Sequence, residues 1–224
     1  KSLAMVPAET EMFFALNLKM LWQMTYDVMG HSPEGRMMRE APAMQAQQQQ
    51  IDLQKDVIDA LTGEIAVSLP NYSQVAAAQF AGLRKEATPA ASMAALQQLE
   101  ALILLPLAHR EKIEALLGKP VVAPMVASLS SEDYKGTTIR SQGALFGYAI
   151  HSDTLLVGVN DAGKQIRGII DGPPAGKSLA THPGRTRLDT LLAGAKPIFL
   201  SFTDTARVYG TAARGLAATD PGAA

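Results

Sequence analysis

The chain alternates apolar and polar positions in several short stretches separated by helical ones. From Thr10 to Leu18, Met12, Phe14, Leu16 and Leu18 fall on one side and Glu11, Phe13, Ala15 and Asn17 on the other, the period of a strand. Lys19 to Met29 then predicts a helix stopped by Gly30. Ser32 is a candidate N-cap with Pro33 at the first helical position, and the polar, helix-prone segment after it runs through Met37 and Met38 to Gln50. Asp52 predicts the start of a short helix with Leu53, Val57, Ile58 and Leu61 on one face, closed by Gly63. Ile65, Val67 and Leu69 alternate as a strand up to Pro70.

Tyr72 to Ala95 is rich in Ala and Gln, with a break at Thr88-Pro89. Glu100 to Leu107 fits either the continuation of an amphipathic helix or a buried strand, and the strand reading is preferred. Arg110 to Leu117 reads as a helix with Ile113, Leu116 and Leu117 on its buried side, closed by Gly118 and Pro120. The clearest pattern follows. Gly136 to Ser141, Ala144 to Ile150 and Thr154 to Val159 predict a three-stranded antiparallel meander with a tight turn at His151-Ser152, and Glu132-Asp133 reads as a loop before it. In the meander Phe146, Tyr148 and Ile150 share one face, as do Leu155, Val157 and Val159. Asp161 is the expected cap of a helix carrying Ile166, Ile169 and Ile170, ended by Gly172-Pro173-Pro174. A short helix near Leu188 to Leu192, a last strand from Pro197 to Phe202 and a helix capped by Thr203 complete the pattern.

These elements predict an α+β fold: an antiparallel sheet with helices packed on one face, in a single domain over 1–215, with a disordered tail over 216–224. Met12 to Asn17 and Ile198 to Thr203 echo one another as apolar strands leading straight into helices. The echo suggests two related halves, 1–90 and 91–215, although six positions are too few to prove a repeat.

Composition narrows the function classes. The chain has 224 residues, 47% apolar and 18% charged, which suits a sizeable core. Lys plus Arg number 20 against 21 for Asp plus Glu, a net charge of −1 that gives no electrostatic footprint for nucleic acid. The absence of cysteine excludes disulfides, thiolate nucleophiles and cysteine-ligated metal sites. The most apolar run, Ala101 to Ala108, is far short of the roughly 20 residues that cross a bilayer, so no membrane span is expected. The first residue is Lys1 rather than Met, from which we expect a chain trimmed by the experimenter or by processing, with room before it for a signal peptide or anchor.

Candidate chemistry is sparse. Gly172 to Ser178 ends in Gly-Lys-Ser but has three residues where a phosphate loop needs four, and it follows a predicted helix rather than a strand, so it reads as a turn. His31, His109, His151 and His182 lack paired-ligand spacing. Asp52, Asp56 and Asp59 line one side of a short helix, an arrangement open to metal or acid–base chemistry but read here as a solvated face. No serine lies in a nucleophile-elbow pattern. No catalytic, cofactor-binding or metal-binding residue is therefore assigned. Methionines crowd the segment from Met5 to Met44. Met12, Phe14, Met20, Trp22 and Met24 are the candidates for an apolar ligand groove or partner surface, against core packing as the default.

Several stretches carry a resemblance in a consistent order. They are Pro7 to Thr10, Ile51 to Asp56 running into Leu61 to Val67, Arg110 to Leu117, Tyr134 to Ile139, the hairpin through Tyr148 to Gly158, and Lys177 to Leu179. Together they resemble the bacterial domain of unknown function 3352 family. Ala108-His109 departs from it, where a strand ending in an acidic residue would be expected. The resemblance implies an extracytoplasmic bacterial domain and no activity. The expected function is a non-enzymatic cell-envelope interaction module with a protein partner. The alternative is a carrier holding an apolar molecule between sheet and helices, and a hydrolase with a dispersed site comes third.

Overall fold

In a computed structural model, which describes residues 2–83, 97–183 and 198–219, eight strands form one antiparallel sheet. In chain order they are β1 (Met12–Asn17), β2 (Glu64–Leu69), β3 (Ala101–Pro106), β4 (Ser130–Tyr134), β5 (Thr137–Gln142), β6 (Phe146–His151), β7 (Thr154–Val159) and β8 (Phe199–Thr203). Across the sheet the order is β4-β5-β6-β7-β3-β2-β1-β8. The helices are α1 (Leu18–Met29), α2 (Pro33–Gln48), α3 (Tyr72–Leu83), α4 (Arg110–Leu117), α5 (Ala123–Ala127), α6 (Ala162–Asp171) and α7 (Thr205–Thr219), and Leu53–Ile58 forms a π-helical segment. The fold is α+β, as the pattern predicted, and the 101–106 segment is a strand. The short helix expected near Leu188 to Leu192 lies outside the described residues.

Both faces of the sheet carry apolar side chains, and they differ in depth. Phe13, Ala66, Leu102, Leu104, Ala149 and Leu156 point to the deep face, where Ile166 and Ile169 of α6 close over them together with Val6 and Leu179. Phe13, Leu104, Leu156 and Ile166 are completely enclosed. On the other face, Leu105, Ile150 and Leu155 pack against Ile113 and Leu117 of α4, beside the Ala60, Leu61 and Leu107 cluster. So α6 covers one face and α4 covers a corner of the other. Farther along that second face, Phe14, Val67, Ile103 and Val157 are half-buried.

The seating of α6 depends on a glycine. A Cβ on Gly158 would stand 2.8 Å from the Ala162 Cα and 3.1 Å from its carbonyl oxygen, so the first turn of α6 lies directly on the β7 backbone. Asn160 and Asp161 both adopt left-handed backbone (φ 53°) to turn the chain from β7 into α6. That backbone removes Asp161 from its expected capping role. Its side chain caps no N–H of α6, and its Oδ2 lies 3.3 Å from Lys164 Nζ instead.

Other boundaries differ from expectation for equally local reasons. Glu132-Asp133 is not a loop but part of β4, paired in register with Ile139 and Thr138. Ser130 to Asp133 carry no apolar residue and are exposed, so no hydrophobic period marks the strand; their charges suit a sheet edge. Asp204 rather than Thr203 caps α7, accepting from the Arg207 N–H at 3.0 Å. That helix continues to Thr219, past Leu216 where the tail was expected to begin; 220–224 lie outside the described residues. Ser32 caps α2 through Gly35 N–H as predicted, and a Cβ at Gly35 would collide with the Met29 carbonyl, which fixes the tight corner between α1 and α2. The echoing strands, β1 and β8, lie side by side and antiparallel, with Phe13 opposite Phe202.

Two substitutions and one surface control test this packing by urea denaturation. Leu104→Ala is expected to cost about 2–5 kcal/mol, because it hollows a sealed core. Gly158→Ala should cost about 1–3 kcal/mol by forcing α6 off β7. Met20→Ala, on an exposed surface, should stay within about 0.5 kcal/mol.

Candidate functional site

The described polar residues that are buried are few, and four of them gather at one end of the sheet. Thr10 and Glu11 lie just before β1, Ser68 near the end of β2 and Ser73 in the first turn of α3; all four are buried. Because β1 and β2 are antiparallel, the start of one meets the end of the other, with Met12 opposite Leu69. Ser68 in turn pairs with Leu102 at the start of β3. Pro70 ends β2 at the same edge.

This end of the sheet is concave. A cavity of about 500 Å³ lies between it and α6. Leu102, Ile169, Pro7 and Pro70 supply apolar walls, Thr10, Glu11 and Ser68 line it with buried polar groups, and Glu9, Glu100, Lys164, Gln165, Gly168 and Arg207 complete the lining. The Thr10 and Ser68 hydroxyls are hydrogen-bonded to each other at 3.2 Å. A side chain at Gly168 would start in open space, with nothing within 4 Å of its Cβ. The N-terminal segment forms one wall because the chain after α6 holds it. Ala8 N–H donates to the Lys177 carbonyl at 2.8 Å and Leu179 N–H to the Val6 carbonyl at 2.7 Å. Arg207 Nη1 donates to the Glu9 carbonyl and joins α7 to that wall.

Glu11 is the buried carboxylate of the site, and both its oxygens are engaged. Oε2 accepts from the Ser73 N–H at 2.5 Å and Oε1 from the Ser73 hydroxyl at 2.9 Å. A carboxylate there satisfies a free N–H of α3 and faces the positive end of its dipole. Its position explains why a charged group is tolerated at 8% exposure. The sequence placed Glu11 on a strand face without marking it, and its partner lies 62 residues away.

The residues singled out from the sequence are dispersed. Met20 and Met24 share one exposed face of α1 at 42% and 47% exposure. Trp22 is half a turn away from both and faces a separate cleft toward α2 and the π-helical segment. Phe14 lies on the second face of the sheet, its ring 6.2 Å from that of Phe199, and Met12 is beside it at the start of β1, half-buried. They do not form one groove, and none of them lines the sheet-end cavity. Helical geometry separates Trp22 from the two methionines, and strand alternation sends Phe13, not Phe14, into the core.

The polar candidates are likewise separate. His109 Nδ1 lies 3.2 Å from Glu111, His151 Nδ1 is 2.9 Å from the Thr137 hydroxyl, and the His182 ring meets Phe202 edge-on at 4.8 Å. His31 is exposed in the turn between α1 and α2. Gly172 to Ser178 follows a helix, and its Lys177 and Ser178 backbone pairs with the N-terminal segment, a structural use of the loop. Asp52 caps the π-helical segment through the Lys55 N–H at 3.0 Å, and Asp59 accepts from Gln54 Nε2 at 2.8 Å. Asp56 accepts from Lys119 Nζ at 2.5 Å and from the Asp52 N–H at 2.8 Å. The Lys119 hydrogen bond, then the Asp52 N–H, hold the Asp56 carboxyl below its ordinary value of 3.8. Among the described residues no three His, Asp or Glu side chains converge as a metal-holding group. No described helix is long and apolar enough to cross a membrane.

Comparison of the chain with protein-family models, curated proteins and solved structures gave no match.

The Asp56–Lys119 pair generates a pH prediction. Because the folded-state pKa is depressed, the stability it contributes is fully present above pH 3.8 and is lost as pH falls through the lower folded value. Asp56→Asn should therefore lower stability at pH 7 by about 1 kcal/mol and flatten the acid limb of the stability–pH curve below about pH 4. Urea midpoints across pH 2–7 check both features.

Proposed function

We propose that this protein is a non-enzymatic binding module that holds a small, mainly apolar molecule in the cavity between α6 and the sheet end. One observation carries the reading: three of the seven buried polar side chains described, Thr10, Glu11 and Ser68, converge on one cavity that also has apolar walls. Apolar walls with a few placed polar groups are the common form of a small-molecule site. The Thr10 and Ser68 hydroxyls suit the polar end of such a ligand, with Leu102 and Ile169 against its body. Support for a binding rather than catalytic role comes from Glu11, whose two oxygens are already committed to Ser73. The resemblance noted above favours placing the module in a bacterial cell envelope, outside the cytoplasm.

A second reading has its own support. Exposed large apolar side chains concentrate on the α1–α2 hairpin, with Val28 at 70%, Met37 at 65%, Met44 at 58% and Met24 at 47%. A methionine-rich exposed surface suits an adaptable contact with a protein partner in the envelope.

Binding of the neutral fluorophore N-phenyl-1-naphthylamine distinguishes the two. The cavity reading predicts saturable emission enhancement with micromolar affinity, reduced at least tenfold by Gly168→Leu, which fills the cavity mouth. The same substitution should leave folding intact, because leucine replaces glycine in an exposed helical position and gains about 0.5–1 kcal/mol of propensity. Met20→Glu with Met24→Glu should leave binding unchanged. Loss of binding in that double variant, with Gly168→Leu silent, would overturn the cavity reading in favour of the hairpin.

A further inference from the structure

The cleft that Trp22 faces has a different chemistry from the sheet-end cavity. It measures about 710 Å³ and lies between α1, α2 and the π-helical segment. Lys19, Trp22, Tyr26 and Asp27 all lie on the α1 stripe that faces it. The Trp22 and Tyr26 rings both line it, with centroids 6.0 Å apart and planes tilted by 30°. The cleft is also lined by Asp52, the N-cap of the π-helical segment, and by Asp59 just after it, whose N–H donates to the Gln54 carbonyl five residues back. Three carboxylates and the Lys19 ammonium thus line the cleft, and Lys55 Nζ stands 3.9 Å from Asp52 beside it.

We propose that this cleft binds a quaternary ammonium group. Such a cation is weakly hydrated and has no N–H to donate, so it is recognised by ring faces and by surrounding charge. Both features are present. Trp22 gives the strongest of the aromatic faces, and Asp27, Asp52 and Asp59 set a negative field. Asp52 and Asp59 already accept hydrogen bonds from Lys55 N–H and Gln54 Nε2, so what they offer a ligand is chiefly through-space attraction, which suits a cation without donors. A metal ion fits poorly, because no three of the described carboxylate and imidazole side chains converge on one point. The cleft shares no lining residue with the sheet-end cavity, so the two readings stand or fall separately.

Trp22 is the chain's single tryptophan, so its emission reports on the cleft directly. Titration with choline chloride should change Trp22 emission saturably, with half-saturation on the order of 1 mM. Neither 3,3-dimethyl-1-butanol, the neutral isostere, nor sodium chloride at matched ionic strength should reproduce the change. Asp27→Asn, at an exposed position, should keep the fold and raise the half-saturation concentration about threefold or more. An equal response to the neutral isostere, or a choline response no larger than that to sodium chloride, would overturn the assignment.

Discussion

The close contact between Gly158 of β7 and Ala162 of α6 sets the geometry on which the rest depends. It lets the helix lie on the strand backbone instead of standing off on side chains. Ile166 and Ile169 then reach Leu104 and Leu156 and seal the deep face. Farther along, Lys164, Gln165 and Gly168 lie over the place where β1 begins and β2 ends. The helix is therefore floor-tight at its start and bridged over a hollow along one flank. One packing decision produces both the sealed core and the cavity. Gln165 reinforces it by donating from Nε2 to the Val159 and Asn160 carbonyls, which ties the helix to the end of the strand it lies on.

The hollow is held open by polar groups that satisfy one another. Thr10 and Ser68 pair, and Glu11 caps α3 through Ser73. Buried polar groups left unpaired cost about 1–3 kcal/mol each, so these pairings allow a polar cavity wall without a large stability loss. They also link parts of the chain that are remote in sequence: the entry to β1, the end of β2 and the start of α3. Asn71 extends the link, accepting from Glu100 N–H at 2.9 Å and donating to the Gln98 carbonyl at 3.1 Å. The cavity walls are thus made by the fold's own connections, while the Trp22 cleft is made by a helical excursion inserted between β1 and β2.

Local patterns in the sequence were enough to locate most elements. Alternation in Thr154 to Val159, the Ser32-Pro33 helix start and the Asp52 cap all act within a few residues, and each appears in the structure. The polar edge strand β4 escaped notice because nothing in Ser130 to Asp133 is buried to create a period. Asp161 misled because capping depends on backbone conformation, and the left-handed turn after β7 is a consequence of tertiary packing. The sheet-end cavity was illegible for a related reason: Glu11 and Ser73, or Ser68 and Leu102, meet only through sheet registration. Trp22 lines a cleft on the side of α1 away from Met20 and Met24, a separation that apolar composition alone does not show because it follows from helical rotation. The doubly apolar sheet likewise blurred the inside from the outside, since Phe13 and Phe14 differ in burial and not in character.

The central claim is that α6 bridges a hollow that a small apolar molecule occupies. Intermolecular nuclear Overhauser contacts between a bound apolar ligand and the methyl groups of the protein test it most directly. The account predicts contacts to Leu102 and Ile169, with none to the α1–α2 hairpin. Contacts confined to Met20 and Met24, or to side chains of the second sheet face such as Phe14 and Phe199, would contradict it.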